Sequence, residues 1–303
     1  MERISHTAAL HARTAPLFRQ LPAPGRTRAI KDGLVLGSAI LSVGILFGLR
    51  SKWDTFGWDS YAYWLADPMD PYRGWNDLVG SFRYSPAAAQ VMAIFHFLPW
   101  DVFRVAWAVT LGLVAARLAG WWVLLLPWVV LDLFVGNVHI LLAAAIVLGF
   151  RHPVTWSFVL LTKVTPGIGL LWFAVRREWR HLGLALGATA IIVLASAALA
   201  PGLWSDWLYH LADDGRPLAW GLGVPLGLRI PAAALLVSWG ALTDRRWTVP
   251  VAAFLALPVL WPSIGPALLI AVVPLMAAGR SPRNVVTRPG WPEGTAAQLE
   301  AVA

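Results

Sequence analysis

Two neighbouring stretches decide the fold: GLVLGSAILSVGILFGL, Gly33–Leu49, and then GWDSYAYW, Gly57–Trp64. The first carries no charge and approaches the roughly 20 apolar residues a helix needs to cross a bilayer. The second places an acid, two tyrosines and two tryptophans just beyond it. Outward from this pair, the whole chain has the same character. Of 303 residues, 58% are hydrophobic and 13% are charged, against roughly 25% charged in soluble domains. Mean hydropathy is +0.63. Most of the chain therefore belongs in lipid, and the expected fold is all-α: a polytopic transmembrane helical bundle.

The net charge of +8 reads as membrane topology and contact with anionic lipids. No basic segment interleaved with aromatics suits bases, so no nucleic-acid partner is expected. Several of the nineteen tryptophans (Trp53, Trp100, Trp121, Trp179, Trp247, Trp261) flank apolar runs, where an amphipathic ring sits at headgroup level. There is no cysteine, which excludes disulfides, thiolate metal sites and a cysteine nucleophile. No His/Asp/Glu set has metal-ligand spacing, and neither a metal nor a cofactor is expected.

Apolar runs near 33–49, 86–100, 102–119, 121–135, 138–150, 154–174, 182–200, 218–240, 248–261 and 263–278 give about ten spans. Several are short, and 121–135 with 138–150 also reads as two re-entrant halves. The segments before residue 33, at Arg176–His181, at Thr243–Trp247 and after Gly279 are all basic. By the positive-inside rule they are cytoplasmic, as are both termini. Residues 1–32 form a basic tail ahead of a retained first span, since LFGLRSKW offers no small-residue cleavage site. Residues 33–279 form the bundle, with outer loops 50–85 and 201–217, and 280–303 form a disordered cytoplasmic tail. This topology leaves Arg117 and Arg151 on the outer side, against the rule.

Polar residues in this setting need reasons. Asp59 heads a short helix on which Tyr63 falls one turn later on the same face. It reads either as a helix N-cap or as a desolvated base. Phe82-Arg83-Tyr84-Ser85-Pro86 enters the next apolar run with Pro suited to a first helical turn; without a further role it is an interfacial anchor. In Gly136-Asn137-Val138-His139, two polar side chains stand at membrane depth, bonding a neighbour or lining a cavity. Lys163, in TKVTP, costs about 2.5–3.5 kcal/mol to insert, so it needs an acid, a phosphate or water. Asp132 is one available partner. Pro166 should kink the helix beside it. Arg229, between Pro225 and Pro231, carries the same two readings. In the second outer loop, His210 and Arg216 suit a phosphate or plain solvent.

In this order, the motifs resemble the polyprenol-phosphate-mannose-dependent α-mannosyltransferases (the DUF2029 group) of the GT-C superfamily. Matching pieces are Asp59 with Tyr63, Pro71-Tyr72, Phe82–Pro86, Gly136–His139, Lys163-Val164-Thr165-Pro166 and Arg176-Arg177-Glu178-Trp179, spread over about residues 33 to 280. His139 stands where Asn is more usual. The resemblance implies a GT-C-like bundle that moves a sugar, mannose first, from a polyprenyl-phosphate donor to a glycan or glycolipid hydroxyl on the outer face. Asp59 would be the base. Lys163, His210, Arg83 and Arg216 would bind the donor phosphate, and Tyr63, Tyr84, Asn137 and His139 would complete the substrate site. It also implies a multi-pass protein of the cell membrane, bacterial by composition. The competing readings are a transporter or lipid flippase with a midplane path through Lys163, Asp132 and Arg229, and a non-catalytic membrane scaffold.

Overall fold

A computed structural model describes residues 24–75, 80–212 and 221–278, with the backbone alone for 24–31. The described residues are helical, without a strand. Three helical stretches are long and apolar enough to cross a membrane: Asp32–Trp64, Trp100–Ala119 and Trp179–Leu199. The pair Pro127–Val135 and His139–Gly149 adds a fourth if it counts as one span, but it bends by 110° at its break. This is the geometry of a broken span or a re-entrant loop, which the two runs on either side of residue 137 allow. Shorter apolar helices complete the bundle.

Helix α1 (Pro24–Leu49) leaves Leu34, Leu36, Ile40, Val43 and Phe47 exposed. In water such a stripe would be an aggregation hazard; in lipid it is ordinary. Helix α2 (Trp58–Trp64) starts after Gly57, whose φ is +87°. Helix α3 (Pro86–Met92) is capped by Ser85, whose hydroxyl accepts from Ala88 N–H at 3.4 Å, and opens with Pro86. A 3-10 segment, Ala93–Phe97, extends it. Helix α4 (Trp100–Ala119) follows, then α5 (Pro127–Val135), which ends at Gly136 with φ +76°, and α6 (His139–Gly149).

The run 154–174 is not one helix. α7 (Trp156–Thr162) stops at Lys163, which is extended. A 3-10 segment, Thr165–Leu170, with Pro166 in its first turn, then leads into α8 (Leu171–Val175). Proline removes a donor and restricts the residue before it, so the expected kink is a full break. Helices α9 (Trp179–Leu199), α10 (Pro201–Ala212), α11 (Leu226–Leu242) and α12 (Thr248–Leu255) follow, and the segment Gly265–Ala271 leads into α13 (Val272–Ala278).

Contacts sort the helix ends into two groups. At one end, Gly57 N–H donates to Phe134 C=O at 2.8 Å, and Ser85 N–H to Leu161 C=O at 3.1 Å. The Trp64 indole donates to Leu98 C=O at 2.8 Å, and Tyr61 packs edge-on to Trp100. At the other end, the Arg246 guanidinium lies over Phe150 at 5.4 Å. Phe150 meets Trp172 at 5.5 Å, and Arg176 pairs with Asp244 at 3.2 Å.

These contacts correct the topology read from hydropathy. The segment Pro86–Phe97 begins beside Tyr63, through Tyr84, and ends beside Trp64. Both its ends adjoin α2, so it does not cross to the other end. Strict alternation of ten spans also put the break after residue 135 opposite Asp59, yet Asn137 bonds Asp59 directly. Without a crossing at 86–100, Arg151 joins Arg246 at the basic end. Arg117 lies about 25 Å along α4 from Trp100, toward that end too. The two exceptions to the positive-inside pattern disappear, and α7 and α8 form a hairpin with Lys163 at its tip.

Candidate active site

Two positive-φ glycines set the site. Gly57 turns the chain into α2, which places Asp59 in the first helical turn. Gly136 ends α5, and a Cβ there would fall 2.7 Å from the Ser60 hydroxyl. Only glycine accepts that backbone cheaply and also lets α2 come so close. The Trp107 indole donates to the Gly136 carbonyl at 2.9 Å and holds the turn from the α4 side.

The turn then delivers two polar residues. The Asn137 amide donates to Asp59 Oδ2 at 2.6 Å, while its own carbonyl oxygen accepts from Val138 N–H at 2.7 Å. This second bond assigns the amide, so nitrogen faces the carboxylate. His139 Nδ1 lies 2.8 Å from Asp132 Oδ1, with both side chains fully buried. His139 Nε2 lies 3.1 Å from Lys163 Nζ. Asp59, Asn137, His139 and Lys163, up to 104 positions apart in sequence, thus converge on one turn.

The tyrosines join from the α2–α3 side. Tyr63 and Tyr84 hydroxyls share a hydrogen bond at 2.9 Å, and the Tyr72 hydroxyl donates to Tyr84 C=O at 3.0 Å. Burial and the nearby Asp206 push the Tyr72 phenol above its ordinary range, so it stays a donor. Arg83 and His210 meet at Trp75. The Arg83 guanidinium lies 4.8 Å over that ring and donates to Trp75 C=O at 2.6 Å. The His210 ring stacks on it at 4.9 Å. Arg216 lies outside the described residues. A pocket of about 330 Å³ opens beyond the C-terminal end of α2, lined by Leu65–Pro68, Ala93 and His96. None of the polar side chains named above lines it.

Two participants were not singled out as site residues in the sequence. Trp75 carries no signal there beyond being one of many tryptophans. Asp132 appeared as a salt-bridge partner for Lys163, and the structure puts His139 between them. The usable signal was a lone acid in the apolar run VVLDLF, seven positions before a histidine across a glycine turn. Arg229 goes elsewhere. Its guanidinium donates to the carbonyls of Val224, Leu255, Leu257 and Pro258 at 2.6–3.0 Å. Among the described residues, no three His, Asp or Glu side chains are grouped to share a metal ion.

A half-buried carboxylate oriented by an amide, with a cation against the same turn at one end of an apolar bundle, fits group transfer at a membrane surface. The sequence profile of glycosyltransferase family 87 matches residues 82–288, more than half of the chain. The chain belongs to this family. The matched region takes in Arg83, Tyr84, Asn137, His139, Lys163, His210 and Arg216, and starts after Asp59 and Tyr63. No curated protein and no solved structure matches the chain. As a family 87 glycosyltransferase it would use a sugar donor and an acceptor, and its several apolar helices are those of a membrane protein.

Proposed function

We propose that this glycosyltransferase takes a sugar, mannose first, from a polyprenyl-phosphate donor to a hydroxyl of a glycan or glycolipid at the outer face of a cell membrane. Both termini and the basic end would then be cytoplasmic. The observation that carries the reading is the Asn137–Asp59 hydrogen bond made by the same turn whose His139 contacts Lys163. Base and cation are held by one four-residue segment, as a displacement with charge moving between two groups requires.

The acceptor hydroxyl oxygen bonds to the anomeric carbon as its proton passes to Asp59. The bond from that carbon to the phosphate oxygen breaks with its electron pair staying on oxygen, and the configuration inverts. The N-cap reading of Asp59 fails because Gly57 holds that position and no side chain caps α2; Asn137 instead aims Oδ2, and a general base in the right place contributes about 10²–10⁴ in rate. The leaving phosphate is a stable anion, so no general acid is needed, and Lys163 stabilises the charge that grows on it. Arg83 and His210, gathered on Trp75, suit the donor headgroup, with Arg216 as a further candidate. Tyr63 and Tyr84 suit sugar hydroxyls.

The test is sugar transfer from radiolabelled polyprenyl-phosphate-mannose to a membrane extract by wild type and Asp59→Asn in lipid nanodiscs, with and without EDTA. Expected is transfer by wild type that survives EDTA and falls about 10³-fold in the variant, with unchanged melting. Equal transfer by both would remove Asp59 as the base. No transfer by wild type would count against the donor.

A further inference from the structure

Asp132 and His139 are fully buried, and His139 uses both ring nitrogens inside the protein. The partners dictate its tautomer. An ammonium has donors only, so the Nε2 that faces Lys163 must be the bare, accepting nitrogen. Nδ1 must then carry the ring proton and donate it to Asp132. A proton on Nε2 would set two donors face to face at 3.1 Å. The tautomer of a histidine is set by the bond its other nitrogen makes, and here that bond is to Asp132.

The consequence falls on Lys163. One of its three N–H bonds points to His139, which fixes where the other two point. Resting on the functional reading above, we propose that Asp132 is a positioning residue: it sets the His139 tautomer and through it aims the Lys163 ammonium at the donor phosphate. During transfer, a phosphodiester with one negative charge becomes a monoester with more, as the electron pair of the broken bond stays on its oxygen. A cation aimed there helps the transition state more than the bound donor. Misaiming it therefore lowers kcat more than it raises KM.

Three full-length variants in nanodiscs test this. Asp132→Asn keeps the shape but replaces the anion by an amide, a weaker acceptor for the Nδ1 proton, whose N–H, when turned to Nδ1, moves the ring proton to Nε2. His139→Gln removes the ring and with it the tautomer. The third combines them. Expected for Asp132→Asn is a fall in kcat of about 30- to 100-fold, with the donor KM within about threefold. In the His139→Gln background the same change should cost about threefold or less, because coupled residues are not additive. Equal losses in the two backgrounds, as a purely structural role predicts, would overturn the proposal.

Nitrogen-15 histidine spectra give an independent readout that needs no turnover. Wild type should show His139 with a bare Nε2, assigned by loss of the signal in His139→Gln, and Asp132→Asn should show it protonated. A wild-type His139 protonated on Nε2 would refute the proposal without any variant needing to fold. If wild type transfers no sugar, the donor reading fails separately. Binding of a short polyprenyl phosphate then decides the aim of Lys163: severalfold weaker binding by Asp132→Asn supports it, and unchanged binding overturns it.

Discussion

Lys163 and Arg229 are two cations in apolar surroundings with the same sequence signal, each within three residues of a proline, and their fates are opposite. Arg229 meets backbone. Helix α12 ends at Leu255 and the chain turns at Pro258, which leaves carbonyls without helical partners. The guanidinium fork donates to those of Leu255, Leu257 and Pro258, and to Val224 at the entry to α11. Its five donors in one plane suit such a task, and a cation is favourable at a helix C-terminus. Lys163 instead stands at a helix break, against the side chain of His139. Bonding to main chain fixes a fold. A side-chain partner that can itself be set by a third residue orients a charge. This difference, rather than burial, separates the structural cation from the candidate functional one.

The sharpest way to break the comparison is to remove each charge. Lys163→Met should lower transfer about 10²- to 10³-fold, in the range for a lost electrostatic donor, and cost about 1 kcal/mol of stability for the unpartnered His139 nitrogen. Arg229→Met should do the reverse. Stability should fall by about 3–5 kcal/mol as buried carbonyls lose their donors, while the rate per folded molecule stays near wild type. Initial rates and thermal unfolding of both variants in one nanodisc preparation decide it. If Arg229→Met loses activity at full stability, the midplane-path reading gains and the division drawn here fails.

Much of this was legible. Hydropathy and charge identified a helical membrane protein, and the cost of polar groups in lipid singled out Asp59, Asn137, His139 and Lys163, which meet at one turn. Direction was not legible. The run 86–100 is as apolar as a span, but its two ends return to α2, and only tertiary contacts such as Tyr63–Tyr84 and Trp64–Leu98 reveal that. Partner choice was hidden for a related reason. Whether Arg229 finds an acid, a phosphate or a helix end depends on where α12 stops, a boundary 26 residues away in sequence. Asp132 looked like a direct partner of Lys163 because nothing in the sequence says that His139 fits between them.

The Asp59 end of the turn offers the next test. Asn137→Leu keeps the branched shape and removes the amide at Asp59. With the carboxylate no longer aimed, transfer should fall about 10²-fold, the scale of a small misplacement of a reacting group. Val138 N–H also loses its acceptor, so melting should drop modestly. An unchanged rate would leave Asp59 as a first-turn acid that only favours the N-terminus of α2.

Gly136→Ala strains the turn itself. A left-handed backbone costs an L-residue about 1–2 kcal/mol, and the new Cβ would meet the Ser60 hydroxyl and Cβ at 2.7 and 2.8 Å. Both base and cation are contacted from this turn, so stability and rate should fall together. Adding Ser60→Gly should restore the part due to crowding but not the part due to φ. Full recovery would mean the backbone at Gly136 relaxes more easily than its φ of +76° implies.

The smallest effect sharpens the boundary between fold and site. Tyr63→Phe deletes one hydroxyl from the pair with Tyr84 and leaves the ring against Trp107. Because Tyr63 is buried, the Tyr84 hydroxyl loses a partner at a net cost of about 1 kcal/mol. If these hydroxyls only tie α2 to the entry of α3, melting should shift and the donor and acceptor KM should not. If they hold a sugar hydroxyl, one KM should rise severalfold in Tyr63→Phe and in Tyr84→Phe alike. The double variant should then add little, because each single change already breaks the same bond. Additive KM effects would instead mean two separate contacts with substrate, and would move the sugar-binding surface from the tyrosine pair as a unit to each ring on its own.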